Sequence, residues 1–545
     1  MSDTTGYADL RPALSAHLAQ RLRASQEGFR HNLAVLGQVG SGKSTLVQHA
    51  MQANANGSLR IFCSMQRESL REFLRRFASA LLRGAVEPPP EIALPELIAA
   101  AERIVPNTVA AIQQLEHSAG THAQVEAFLG ALDLVPLLHS ELRRPCLLVL
   151  DEFLHLEDLG LSHAFHEMGK RIMTWPFATF LLTSSSSVRA RTILHERLHL
   201  LFGQFEIMTL GPIDPQAAMA WMEQALPGSS RQPELTSFLL RWSGQVPGYL
   251  AVLLTRLHEL AILHQETRQA TIAALSRDQA RALVEQAVWD VLGSPEGAWH
   301  QRCAAQIERL VHQPDGLLAR EALLAMSQGA RTTQAIAQQC GTRRKLPQVL
   351  RRLAESELVQ QQGACWMIPD QVFACWLTGV LAPTQANSWP DRARARQHFL
   401  EAFRAMWTGW HEVARTPLIT RVGELFGKFR NETVLLDHKV GRLPAFGEFT
   451  THHAGGQDAA YLIAAGEARR WCCLVHEGQL DETAIANFER FCRAQTPRPL
   501  RKVVIAKGGL DLNAKLLAKE ANMWVWEPDE MNLLFRLYGQ PPLLC

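Results

Sequence analysis

The sequence predicts an α/β multidomain protein: a parallel sheet flanked by helices comes first, and helical and mixed modules follow. Three observations carry this. The runs Leu33–Leu36 and Cys146–Leu150 are continuously apolar and Phe177–Leu182 is apolar but for Thr179, as strands buried on both faces are, and each gives way to a polar loop. Helical patterns lie between these runs, which is the βαβ arrangement of a parallel sheet. Beyond about residue 215 the spacing is helical, until strand-like and helical runs alternate again in the last quarter of the 545 residues.

The first apolar run leads into Gly37-Gln38-Val39-Gly40-Ser41-Gly42-Lys43-Ser44-Thr45, and a helical pattern opens at Leu46. Strand, glycine-rich loop and helix in this order are the context of a phosphate-binding loop. Gly37, Gly40 and Gly42 let the backbone wrap a triphosphate so that successive N–H groups, through Ser41 and Thr45, point inward. Lys43 reaches the β- and γ-phosphates, and the Ser44 hydroxyl ligates Mg²⁺. ATP and Mg²⁺ are therefore the expected ligands.

The second run ends in Asp151-Glu152. After a Walker A loop this reads as a Walker B element, with Asp151 holding Mg²⁺ and Glu152 polarising the attacking water as general base. The third run ends in Thr183-Ser184, where a hydroxyl can sense the γ-phosphate; Ser184 is the chosen candidate, with Thr183 as the other. Arg189, Arg191 and Arg197 follow, and Arg197 is the chosen arginine finger, acting in cis or from a neighbouring subunit of a homo-oligomer formed through this core.

The order Walker A, strand and helix, Walker B, sensor strand, His195-Glu196-Arg197-Leu198, Met208–Ile213 and Gly244-Gln245-Val246-Pro247-Gly248 resembles the archaeal-type ATPases of the STAND and AAA+ group, over roughly residues 10–380. In that family the Gly-x-x-Pro segment lies on a helical lid near the adenine, so the resemblance implies a base contact at Pro247. Gly203-Gln204 stands where the family often has Gly-Arg.

Net charge of +2 makes any nucleic-acid surface a local patch rather than a global field. The ten cysteines form no CxxC pair, and Cys63, Cys146 and Cys365 sit in apolar runs, as reduced thiols do; adjacent Cys472 and Cys473 should face opposite sides of a strand. His163 and His166 share a helix face without further ligands. No leader-like apolar core opens the chain and no run has membrane-spanning length, so a cytoplasmic location without membrane contact is expected.

The expected domains are the ATPase core at 1–215 with a helical insertion at 84–120, a helical lid at 216–300, a winged helix at 301–380, a linker at 381–400 and a C-terminal domain at 401–545. The winged helix rests on a short helix Thr333–Cys340 ended by Gly341, a helix with Leu346, Val349, Leu350 and Leu353 at helical spacing, and a hairpin wing within Leu358–Ile368. Arg343, Arg344, Lys345, Arg351 and Arg352 cluster on or beside the helix that would enter a DNA groove, though such modules also dock proteins.

In the last domain the amphipathic Leu418–Phe429 precedes strand-like Val434–Val440 and Phe446–Thr451, then Asp458–Ile463 and Trp471–Gln479, a helix, a strand, a helix and a strand. This αβββαβ plan resembles the restriction-endonuclease-like, PD-(D/E)xK fold. The resemblance implies Mg²⁺ ligands at Asp458 and Glu477, a helix acid at Glu424, and Gln479 in the place of the usual lysine. Either the site works with Gln479, or Lys502 or Lys507 reaches in, or the domain is an inactive binding module. Two functions stay open: an ATP-driven DNA-processing enzyme of a defence or mobile-element system, and a nucleotide-operated switch or loader whose downstream domains recruit DNA or protein partners.

Overall fold

The structure is a computed structural model and describes residues 10–53, 57–86, 92–118, 124–161, 163–196, 205–265, 275–341, 344–386, 391–436, 439–453, 459–467 and 469–543. The chain forms two compact units. The first holds the chain up to Ala217 together with Val246–Tyr249, and the second holds Ala218–Gln245 and everything from Leu250 onward.

The first unit is built on five parallel strands, β1 (Asn32–Leu36), β2 (Leu59–Ser64), β3 (Cys146–Asp151), β4 (Ala178–Ser184) and β5 (Phe205–Thr209), in the order β2-β3-β4-β1-β5. Alternate side chains serve two cores, because successive strand residues point to opposite faces. Leu33, Val35, Val149 and Leu181 pack on the helices Pro12–Gln26 and Lys43–Ala53. Leu36, Ile61, Leu148, Leu150 and Leu182 pack on Phe73, Phe77 and Leu81 of Leu70–Val86. The span expected as a helical insertion, 84–120, carries the helices Leu94–Ala101 and Pro106–Ser118, and Gln124–Leu142 follows it; Leu97, Val109, Phe128 and Val135 of these helices join the same core.

In the second unit, helices Pro233–Trp242 and Arg392–Arg415 share an aromatic core, with Phe238 and Trp407 ring centres 4.1 Å apart and Trp242 and Phe403 5.7 Å apart. Residues 381–400, expected as a linker, carry the helix Ala382–Ala386 and the start of Arg392–Arg415. The reason is amphipathicity that the Pro and Asn residues near 383–390 mask in the sequence, since Phe399, Phe403 and Trp407 recur at helical spacing and are buried.

Helices Ala298–Val311, Gly316–Ser327, Thr333–Cys340 and Leu346–Glu355 precede a hairpin of β6 (Gln360–Gln362) and β7 (Cys365–Met367). Thr332 caps the third of these helices through the Ala335 amide, and Gly341 ends it at φ 69°. The hairpin is tied on both sides. Trp366 N–H donates to the Arg331 carbonyl at 2.7 Å, and Ala364 N–H at the turn donates to the Thr433 carbonyl at 2.7 Å.

The run Val434–Val440, expected as one strand, is two: β8 (Glu432–Leu436) and β9 (Lys439–Leu443) pair antiparallel as a separate hairpin. A second sheet follows from β10 (Glu448–His453), β11 (Ala459–Ala465), β12 (Arg470–His476), β13 (Arg501–Ala506) and β14 (Trp524–Trp526), paired in that order. The first three strands are antiparallel, and β12, β13 and β14 are parallel, with the helix Glu482–Ala494 between β12 and β13. Cys472 and Cys473 do face opposite ways: Cys472 packs with Phe488 and Ala514, and Cys473 with Val422 and Phe426 of the helix Leu418–Gly427.

Candidate functional sites

The loop after β1 turns into the helix Lys43–Ala53 through Gly40 (φ 82°) and Gly42 (φ 90°), a left-handed backbone that glycine alone enters without strain. The first-turn amides of that helix have no acceptor within it, and with the helix dipole they form a seat for an anion. Lys43 is only 5% exposed. Its ammonium donates to the carbonyls of Gly37 (2.9 Å) and Gln38 (3.3 Å) and lies 3.3 Å from Glu152 Oε1.

Asp151 is the hub of the site. Ser44 Oγ donates to its two carboxylate oxygens at 2.8 and 2.9 Å, and Thr183 Oγ1 donates to Oδ1 at 2.6 Å. The same Thr183 oxygen accepts the Glu152 N–H at 3.0 Å. Glu152 stands at φ 57°, a conformation costing of order 1–3 kcal/mol in a non-glycine residue, and Oε2 is held by the Ser185 N–H (2.7 Å) and hydroxyl (2.9 Å). Strand order explains the convergence: β4 lies between β1 and β3, so Thr183 sits between the loop and the acids.

These residues fit a phosphate and a hard cation. A hydroxyl and a carboxylate are the oxygen donors Mg²⁺ takes, and a buried ammonium beside first-turn amides suits phosphate oxygens. Ser41 Oγ is buried with no hydrogen-bond partner among the described residues, a polar atom left for a ligand to satisfy.

Of the two sensor candidates, Thr183 faces the acids. Ser184 meets the loop through its backbone, its carbonyl accepting the Gly37 N–H at 3.2 Å, while its hydroxyl caps Ser186 N–H at 3.1 Å. Arg197 and Gly203-Gln204 lie outside the described residues. Arg189 is paired with Glu157, and Arg191 donates to Thr209 Oγ1 at 2.7 Å.

Two contacts of the loop are not evident from the sequence. Pro247 opens the helix Pro247–Gln265, but it is the next residue, Gly248, that touches the loop: its N–H donates to the Gly40 carbonyl at 2.8 Å. A glycine directly after a helix-opening proline is a poor helix former, and that was the available signal. Arg11 donates to the carbonyls of Ser41, Gly211 and Pro212, joining the loop to the segment after β5; burial lowers its pKa. Nothing in the sequence near Arg11 marks it.

In the second unit, Arg344, Lys345 and Arg351 are exposed around the helix Leu346–Glu355, which buries Leu346, Val349, Leu350 and Leu353. Lys345 is paired with Asp315 at 2.8 Å, Arg352 is half-buried, and Arg343 lies outside the described residues. The hairpin beside them is packed inward: Cys365 and Met367 join the core of the C-terminal sheet, and Arg331 lies over the Tyr538 ring at 5.2 Å.

Asp458 also lies outside the described residues, so its expected pairing with Glu477 has no geometry here. Glu477 leaves the end of β12 and accepts the Leu418 N–H at 3.2 Å, at the start of the helix that carries the exposed Glu424. Arg421, on that helix, has its pKa pushed down to about 10 by burial and then by the charge of Arg241, with Glu477 and Glu424 opposing the shift. Lys507 Nζ lies 3.8 Å from Glu477 Oε2, whereas Lys502 is bound to Glu489 at 2.6 Å and Gln479 is exposed. Register accounts for this, because His476 pairs with Ala506 and places Glu477 and Lys507 side by side at the strand ends. Among the described residues, no three His, Cys, Asp or Glu side chains gather as a metal site, and no helix is long and apolar enough to cross a membrane.

No protein-family model matches the chain, and no curated protein does. Among solved structures it is similar to the Walker-type ATPase PABY2304 of Pyrococcus abyssi, at 14% identity and a TM-score of 0.43, with 66% of this chain and 95% of that one covered. It is also similar to the ORC2 protein of Aeropyrum pernix in its ADPNP–ADP complexes, at 15% identity and a TM-score of 0.42, covering 69% and 95%. The ORC1 protein of Aeropyrum pernix in complex with DNA matches at 15% identity and a TM-score of 0.36, covering 69% and 94%.

Proposed function

We propose that the first unit binds and hydrolyses ATP and that the second unit presents a basic helix to DNA. The observation that carries the ATPase reading is the hydrogen-bonded set Ser44–Asp151–Thr183 beside Lys43 and Glu152. Lys43 exchanges its carbonyl partners for phosphate oxygens and in doing so releases Glu152. Glu152, oriented by Ser185, then takes the proton of the attacking water. Thr183 holds both acids in register, one through its carboxylate and the other through its backbone. Ser44 and Asp151 are the residues that would hold Mg²⁺, which when bound supplies charge neutralisation at the phosphates.

Phosphate release and labelled-ATP binding test this together. Lys43→Ala is expected to lose binding, and Glu152→Gln to bind ATP while hydrolysis falls by roughly 10²–10⁴-fold. Hydrolysis at the wild-type rate in Glu152→Gln would remove the assigned base. For DNA, Arg344→Ala with Arg351→Ala should weaken binding for all sequences alike and reduce its salt dependence, as phosphate contacts do.

A second reading, that the C-terminal sheet cleaves DNA, is favoured by Lys507 beside Glu477, which supplies the positive charge that Gln479 lacks. Cleavage of plasmid with Mg²⁺ or Mn²⁺, abolished in both Glu477→Ala and Lys507→Ala, is its test. No cleavage with DNA-stimulated ATP hydrolysis intact would leave a nucleotide-operated switch or loader whose C-terminal domain only binds.

A further inference from the structure

The strand β10, Glu448-Phe449-Thr450-Thr451-His452-His453, is the edge of the C-terminal sheet: among the described residues it pairs with β11 alone, and all six residues are exposed. Its ladder with β11 is continuous from Glu448↔Ala465 to His453↔Ala460, without a bulge. It contains neither proline nor lysine. Natural edge strands are usually blunted by such devices because an open row of N–H and C=O groups invites another strand.

The order of the six residues shows which strand fits. A two-fold axis perpendicular to a sheet keeps each residue on its own face, so two copies of an edge pair antiparallel with residues of like parity opposite one another. Centred on Thr450, this register sets Glu448 opposite His452 twice, Phe449 opposite Thr451 twice, and Thr450 opposite itself. Acid with histidine, aromatic with β-branched and threonine with threonine are favourable cross-strand pairs. The neighbouring register, centred on Thr451, leaves Glu448 without its histidine. We infer that β10 is a homodimer edge: two copies of this chain join antiparallel about Thr450, making one continuous sheet from two.

This interface is separate from any assembly through the ATPase core. It is tested on the full chain by sedimentation velocity over a concentration series, with circular dichroism and ATP binding as controls for folding. The wild type should show a monomer–dimer equilibrium. His452→Glu, which sets two carboxylates against each other at both ends, should weaken it by about tenfold or more, and Thr450→Lys should do the same at the centre. Adding Glu448→Lys to His452→Glu should restore the dimer. A monomeric wild type at all concentrations, including one that takes a foreign peptide strand instead, would overturn the inference. So would a dimer indifferent to His452→Glu and Thr450→Lys, or a double variant no better than His452→Glu alone.

Discussion

Replacing Gly248 by alanine probes whether the phosphate loop depends on the segment Val246–Tyr249. An alanine Cβ at this position would stand 2.8 Å from the Gly40 Cα and 3.0 Å from its carbonyl oxygen. Both are backbone atoms that no rotamer change can move, so the segment must back away and stretch its 2.8 Å bond to Gly40. A lost backbone hydrogen bond costs about 1 kcal/mol and overpacking typically about 1–3 kcal/mol. The docked state therefore loses about 2–4 kcal/mol, and Gly40, at φ 82°, loses the partner that fixes its carbonyl. If half of that reaches the nucleotide, the Kd for ATP rises roughly 5- to 30-fold. Fluorescence anisotropy of a labelled ATP analogue measures it, with Gly211→Ala as the control, because a Cβ there meets nothing within 4 Å. Wild-type affinity in Gly248→Ala would refute the argument that this contact holds the loop.

Thr183→Val removes the hydroxyl shared by Asp151 and the Glu152 amide, and is expected to slow hydrolysis at least about tenfold, whereas Ser184→Ala, whose hydroxyl only caps Ser186, should leave kcat nearly unchanged in the same phosphate-release assay. Gly363→Ala puts a Cβ 2.3 Å from the Thr433 carbonyl at a residue with φ 64°, so calorimetry should find the second unit's melting temperature lowered by several degrees. Glu223 accepts N–H bonds from Ser230 and Gly228, which hold its pKa at about 2 against the ordinary 4.5. A depressed pKa stabilises the folded state above the unfolded value and loses that contribution as pH falls, so Glu223→Gln should melt below the wild type at pH 7, with the difference closing between about pH 4.5 and 2.

What was legible in the sequence is what local chemistry dictates. Gly40, Gly42 and Lys43 declare their geometry by residue type and spacing, and the opposite facing of Cys472 and Cys473 follows from the strand period alone. Which of Thr183 and Ser184 meets the acids needs the strand order as well as the sequence, since adjacent strand residues point to opposite faces of the sheet. The lysine beside Glu477 was undecidable between positions 502 and 507 until the β12–β13 register was known. Arg11 acts on carbonyls some 30 and 200 residues away, and nothing around it in the chain announces that. The hairpin β8–β9 is not evident in the sequence as two strands because Val440 resumes the apolar run Val434–Leu436 after only three polar residues.

The four residues Val246–Tyr249 belong to the first unit while the chain on either side of them belongs to the second. The two units are therefore interleaved in the chain rather than strung one after the other. A fragment ending at Ala217 would retain the whole glycine-rich loop and both acids, yet would lack the amide that meets Gly40. Shuffling such a core between proteins as a single stretch of gene would separate the loop from its anchor.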